Sequence, residues 1–192
     1  MRSVLGRTAT CGWEVFSAHV DRLDLSGMVT PFAMPLETSA GGATMAMQIV
    51  SGPDGKLWFP ANTVGCPPSP CIPINAAVVS MTTDGVATIH VPSDYDTRAA
   101  RSLAFAADGN PWILGSKFNA QTSNWESALV RMTQDGTFTS YALQPTDGPL
   151  VSDADGNLWF IDVIIDGPAG YTEIVKLVIP ADSVFFDSFD AL

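Results

Sequence analysis

"VSDADGNLWF", Val151 to Phe160, can be read in two ways. Asp153, Asp155 and Asn157 are spaced like the first half of a calcium loop. An Asp-Gly pair ahead of a bulky apolar run is equally how a turn enters a β-strand. Two near-copies upstream decide between these readings: "VSGPDGKLWF" (Val50–Phe59) and "AFAADGNPWI" (Ala104–Ile113). The oxygen-bearing positions change while the Asp-Gly pair and the tryptophan stay in place. Calcium wants six to eight oxygens, and the next glutamate, Glu173, lies on another predicted strand. The stretch therefore reads as a turn between two strands, with no metal expected.

The same register recurs along the chain. Trp13, Trp58, Trp112 and Trp159 are separated by 45, 54 and 47 residues. Behind each comes a second shared segment, as in "AVVSMTTDGVATIHVP" (Ala77–Pro92) and "ALVRMTQDGTFTSYALQ" (Ala128–Gln144). A period of about fifty residues is that of a propeller blade or a similar array. Within a unit the pattern is strand, tight turn, strand, longer loop, strand, tight turn, strand. Asp-Gly between β-prone runs predicts a two-residue hairpin turn. "TFTSYAL" alternates like a half-exposed outer strand, whereas "SLAFA" and "LWF" are continuously apolar, like strands covered on both faces. No stretch has helical periodicity with caps. The expected fold is all-β, one β-propeller domain over residues 1–192. Its roughly four four-stranded antiparallel blades fall at about 1–35, 45–92, 99–144 and 148–192, forming either a small closed ring or an incomplete or truncated propeller. The aligned tryptophans are expected to wedge between adjacent blades.

Bulk composition narrows the function classes. Hydrophobic residues make up 46% and charged residues 15%, which describes a folded chain with a real core. A formal charge of −11 with nine basic residues offers no footprint for nucleic acid or for an anionic membrane surface. No apolar run approaches the roughly 20 residues needed to cross a bilayer as a helix. The start, "MRSVLGRTATCGWEVF", has no continuous apolar stretch of the signal-peptide kind. Cys66 and Cys71 bracket "PPSP", a stiff spacer that fits either a small disulfide loop or two free thiols.

At "GPDGKLWF" and "LVRMTQDGTFTSYAL" the chain resembles the streptogramin lyase (virginiamycin B lyase) family of β-propellers. That resemblance implies magnesium-dependent opening of a cyclic depsipeptide, with His and Glu moving the proton. The family's Thr-Glu after Trp-Phe is replaced here by Pro60-Ala61, Leu114-Gly115 and Ile161-Asp162, and the two histidines, His19 and His90, fall in different units. The resemblance thus favours the fold over the activity. The tail "DSVFFDSFDAL" resembles those of some secreted Gram-negative proteins and, with the cysteine pair, points to an extracellular or periplasmic location.

The long, variable connections are expected on one face of the disc: Asn62–Ile74, Ser116–Ser127, Asp162–Thr172 and the link "SDYDTRAARS". Function concentrates on loops held by a rigid scaffold. Tyr95, Arg98, Trp125, Glu126 and Tyr171 are accordingly the candidate binding residues, for a small molecule, glycan or protein, with no catalytic residue and no cofactor. Unpaired blade edges further predict either closure by the terminal strands or self-association.

Overall fold

Fourteen strands make up most of the chain that the computed structural model describes, which is residues 19–33, 43–46, 48–65, 72–91, 97–119, 121–122, 124–143, 148–166 and 169–180. They are β1 (His19–Leu23), β2 (Val29–Ala33), β3 (Ala43–Ala46), β4 (Val50–Ser51), β5 (Leu57–Gly65), β6 (Ile72–Met81) and β7 (Ala87–His90). After these come β8 (Thr97–Phe105), β9 (Pro111–Asn119), β10 (Asn124–Met132), β11 (Phe138–Ala142), β12 (Val151–Ser152), β13 (Leu158–Asp166) and β14 (Ala169–Leu177). Each strand pairs antiparallel with its neighbours in the chain, giving four meanders: β1-β2, β3/β4-β5-β6-β7, β8-β9-β10-β11 and β12-β13-β14. β3 and β4 are two halves of one first strand, pairing with β5 in registers one residue apart. The second and third blades thus have the expected four strands. The first and last show two and three among the described residues.

The hairpin turns differ in detail from the two-residue expectation. At Gly52–Lys56, Gly55 N–H donates to Gly52 O (3.1 Å) and Gly52 N–H donates to Lys56 O (2.8 Å). The loop is therefore three residues long, a β-turn ending in a glycine at φ +76. The same pair of bonds closes the turns at Asp24, Thr82, Ala106, Thr133 and Asp153. Only the last loop position needs the left-handed conformation, so Gly is required there while the preceding residue is free to be Asp or, in the first turn, Ser26.

Those turn carboxylates hold the local structure. Asp54 Oδ1 accepts from Lys56 N (3.1 Å) and from the Trp58 indole (2.9 Å). In the last blade the indole partner is not Asp155 but Asp153, two positions earlier. Its Oδ1 accepts from Asp155 N (3.0 Å) and Asn157 N (2.9 Å), the Asn157 amide bonds to both oxygens, and Trp159 Nε1 donates to Oδ2 (2.9 Å). These donors, Trp159 foremost, hold the Asp153 carboxyl well below the usual range. The "DADGN" stretch is a turn whose first carboxylate is occupied by protein hydrogen bonds.

Period-two alternation sorts each sheet into a face toward the preceding blade and a face toward the next. Val20, with Phe32 beside it, packs on Phe59, Val79 and Met81 between the first two blades. Trp58 and Val78 pack on Ala100, Leu103, Ile113, Val130 and Met132 between the second and third. Trp112, Leu114 and Leu129 pack on Leu150, Leu158, Phe160 and Ile179 between the third and fourth. Hydrogen bonds also cross between blades: Arg22 Nη1 donates to Thr83 O (3.1 Å) and Ala107 N–H donates to Gly156 O (2.9 Å). Trp58 and Trp112 are the buried wedges the spacing predicts, each stacked on an outer-strand ring, His90 at 5.3 Å and Tyr141 at 5.7 Å. Trp159 departs from the pattern. It is half-buried, covered by Lys176 at 5.2 Å, because no described blade follows it. Trp13 lies outside the described residues.

Candidate functional site

Three of the connections expected to be long loops are largely strand. β9 and β10 run on to Asn119 and from Asn124, and β13 and β14 leave only 167–168 between them. β5 and β6 likewise extend to Gly65 and from Ile72. The polar stretches around Trp125 and Tyr171 looked loop-like because they lack an apolar stripe. Once a hairpin is started, its ladder continues on backbone bonds alone and needs no buried face. The result is three projecting hairpins at the end of the array opposite the Asp-Gly turns.

The expected site residues fall on these hairpins. Arg98 lies on β8 opposite Ser116, which in turn faces Ser127 on β10. Thr97, Lys117 and Glu126 form the adjacent cross-strand row, and Trp125 pairs with Phe118. Glu126 Oε1 accepts from Thr122 Oγ1 at 3.2 Å. Tyr171 is exposed on β14 opposite Ile164, in the next blade. The sheet therefore brings Arg98 and Glu126 to one end of blade three and leaves Tyr171 on another. Tyr95, Cys66 and Cys71 lie outside the described residues.

A concavity forms elsewhere, where the first strands of three consecutive blades converge. A cleft of about 200 Å³ is lined by Gln48, Val50 and Ser51, by Leu103, Ala104 and Phe105, and by Leu150, Val151 and Ser152. Eight of the nine fall at repeat-equivalent positions just ahead of each Asp-Gly turn, Val50 with Ala104 and Val151, Ser51 with Phe105 and Ser152, and Leu103 with Leu150, while Gln48 stands one position earlier. A polar relay ties the three strands together behind the cleft. Ser102 Oγ donates to Gln48 Oε1 (2.6 Å) and accepts from Leu150 N–H (2.8 Å), while Leu103 N–H also donates to Gln48 Oε1 (3.0 Å). Gln48 sits in the gap between β3 and β4, and Ser102 directly follows a register shift in β8. Irregular pairing at both places aims the side chains across blades rather than along their own ladders.

The lining sets what the cleft can do. Hydroxyls, an amide, backbone groups and apolar carbon surround it, and none of its nine lining residues titrates near neutral pH. It suits a compact, neutral ligand, since drug-sized pockets run roughly 300–1,000 Å³. General acid–base chemistry needs titratable groups within hydrogen-bond reach of one another. His90 is stacked on Trp58 with Nε2 3.2 Å from Ser80 Oγ, and burial, helped by Lys56, pushes its imidazole below the usual range. His19 is on β1, in another sheet. Among the described residues no three His, Cys, Asp or Glu side chains come together to hold a metal ion.

Structural comparison identifies the architecture. The chain superposes on a luciferin-regenerating enzyme with a TM-score of 0.50 at 15% identity, over 90% of this chain and 61% of that one. The fold is a β-propeller. An endo-arabinase from Bacteroides thetaiotaomicron is also similar, with a TM-score of 0.48 and 14% identity, over 95% of this chain and 72% of that one. The chain thus spans about three fifths of the luciferin-regenerating enzyme's length. No protein-family model and no curated protein sequence matches it.

Proposed function

We propose that this propeller is a binding module, not an enzyme, and that it takes a compact neutral ligand such as a sugar ring in the cleft between its first strands. The carrying observation is that nine residues from three successive blades converge on one concavity with hydrogen-bonding and apolar groups but no acid or base. A sugar offers both a hydroxyl rim and an apolar ring face, matching Gln48, Ser51 and Ser152 on one hand and Val50, Phe105 and Val151 on the other. The blade motifs shared with streptogramin lyases fit this reading as a scaffold, because one fold hosts many functions.

Titration of isotope-labelled protein with a panel of neutral mono- and disaccharides tests the proposal. Saturable amide shifts are expected at Gln48–Ser51, Leu103–Phe105 and Leu150–Ser152, and Ser152→Phe, which fills the cleft, is expected to remove them. Shifts confined to other positions, or none, would overturn the cleft assignment. Linearisation of a cyclic depsipeptide by the pure protein with magnesium would overturn the non-enzymatic reading.

A second reading rests on the exposed Tyr171 and on the cross-strand rows holding Arg98 and Glu126. These project beyond the blade body, where a protein or glycan partner would meet them first, at a location outside the cytoplasm.

A further inference from the structure

Every internal blade buries two sheet faces, and the register shows which positions do so. Toward the next blade the buried positions are Trp58 and Val78 in blade two, and Trp112, Leu114 and Leu129 in blade three. In blade four the same positions are Trp159, Ile161 and Ile174, with Ile161 paired to Ile174 and Trp159 to Lys176. Ile174 is 74% exposed and Val178, on the same side, 61%. Toward the preceding blade the buried positions are Val79 and Met81, then Val130 and Met132, then Val175 and Leu177. In blade one they are Asp21 and Leu23, with Val29 paired to Leu23 and Pro31 to Asp21. Leu23 is 60% exposed and Val29 53%. Among the described residues the array thus carries one uncovered face at each end, and the two are the complementary halves of the contact it makes three times internally.

We propose that these two faces dock on each other between copies of this chain, the outer face of blade four in one copy against the outer face of β1–β2 in a second. Two observations commit the occupant. First, both faces are exposed within one chain, so they do not cover each other there. Second, the charges match. Arg22, at the position equivalent to Lys176, reaches the carbonyl of Thr83 in the next blade's turn. Lys176, 3.7 Å from Asp153 of its own blade within the single chain, stands at the edge of the face that would meet the Asp24–Gly27 turn of the second copy, where Asp24 supplies a carboxylate, with Asp21 on the adjoining strand. A cation on a chain of net charge −11 is placed where the matching face is acidic. Such a contact is heterologous: the two partners use different surfaces, and the assembly is a ring if the rotation closes and an open chain otherwise.

Light scattering on the full chain across a concentration series, with one variant for each face, reads this out. Wild type is expected to associate with rising concentration. Ile174→Glu and Leu23→Glu are each expected to weaken association about a hundredfold. Both residues are exposed, so circular dichroism is expected to be unchanged, and Val178→Glu with Val29→Glu forms a second pair should either variant misfold. The decisive arm mixes Ile174→Glu with Leu23→Glu. Each retains one intact face, so the mixture is expected to form a one-to-one heterodimer that neither forms alone. A wild type that stays monomeric at the highest concentration, or a mixture that fails to pair, would overturn the proposal.

Discussion

Replacing Ser102 with Ala tests whether the blades are stitched at their inner strands or merely stacked. Ser102 is buried, and its single oxygen serves two neighbours. It donates to Gln48 Oε1 in the preceding blade and accepts from Leu150 N–H in the following one. Removing it leaves the Leu150 amide, at a fully buried residue, without that acceptor, a loss of about 1–3 kcal/mol. The Gln48 oxygen keeps the Leu103 amide, so the lost Ser–Gln bond adds only about 1 kcal/mol. Urea denaturation followed by tryptophan fluorescence should therefore show a loss of about 2–4 kcal/mol. Because repeat arrays can unfold in parts, hydrogen exchange at the Leu150 amide is the sharper readout, and its protection should fall even if the global midpoint moves little. A double-mutant cycle with Gln48→Ala should return a coupling of about 1 kcal/mol. A loss below about 0.5 kcal/mol, with Leu150 still protected, would refute the stitch and leave apolar packing as the sole inter-blade force.

The remaining predictions concern the motif that opened the sequence. Asp153 has its carboxyl held down in the folded state, chiefly by the Trp159 indole and Asn157, and Asp24, Asp54 and Asp135 are shifted the same way. A depressed folded value means the stabilisation is full above the ordinary carboxylate value and is lost as pH falls through the folded one. Acid titration of stability should therefore fall below about pH 4, and Asp153→Asn should flatten that limb while lowering stability at pH 7. Equivalent tryptophans should also have unequal weight. Trp112→Ala should cost about 3–5 kcal/mol, as for a fully buried aromatic, and Trp159→Ala clearly less, as measured by thermal and urea unfolding.

The sequence repeat carries most of the fold. Trp58 and Trp112 announced the blade interfaces because an indole recurring at that spacing has few stable places except between sheets. What the repeat could not carry is the assignment of roles inside it. Asp54, Asp108 and Asp155 align in sequence yet do different things. Asp54 holds the Trp58 indole, and Asp155 yields that task to Asp153. Asp108 instead pairs with the Arg131 guanidinium at 2.8 Å, in a largely buried contact. For Asp108 the difference comes from the residue across from its tryptophan, Arg131 where the second blade has Ser80, since a largely buried cation claims the nearest carboxylate. That is a cross-strand fact and appears only with the register. The cleft was hidden for the same reason. Its lining residues fall within "QIVS", "LAF" and "LVS", which read as ordinary strand, and only their equivalence before each turn hinted that they meet.

On the proposed reading, binding and stability are coupled through those stretches. The relay of Gln48, Ser102 and Leu150 forms the back of the cleft, so the groups that set the spacing between blades also set its width. A ligand that touches all three strands closes the same contacts the relay does. It stabilises the array by mass action, by an amount set by its affinity for the folded cleft. Losing the relay loosens the cleft, so the Ser102→Ala protein should bind a cleft ligand more weakly and gain less in thermal midpoint than wild type at the same ligand concentration. If the cleft and the relay were independent, the two gains would be equal. That comparison separates a ligand held by the blade junction from one held by the projecting hairpins, whose strands lie outside the relay.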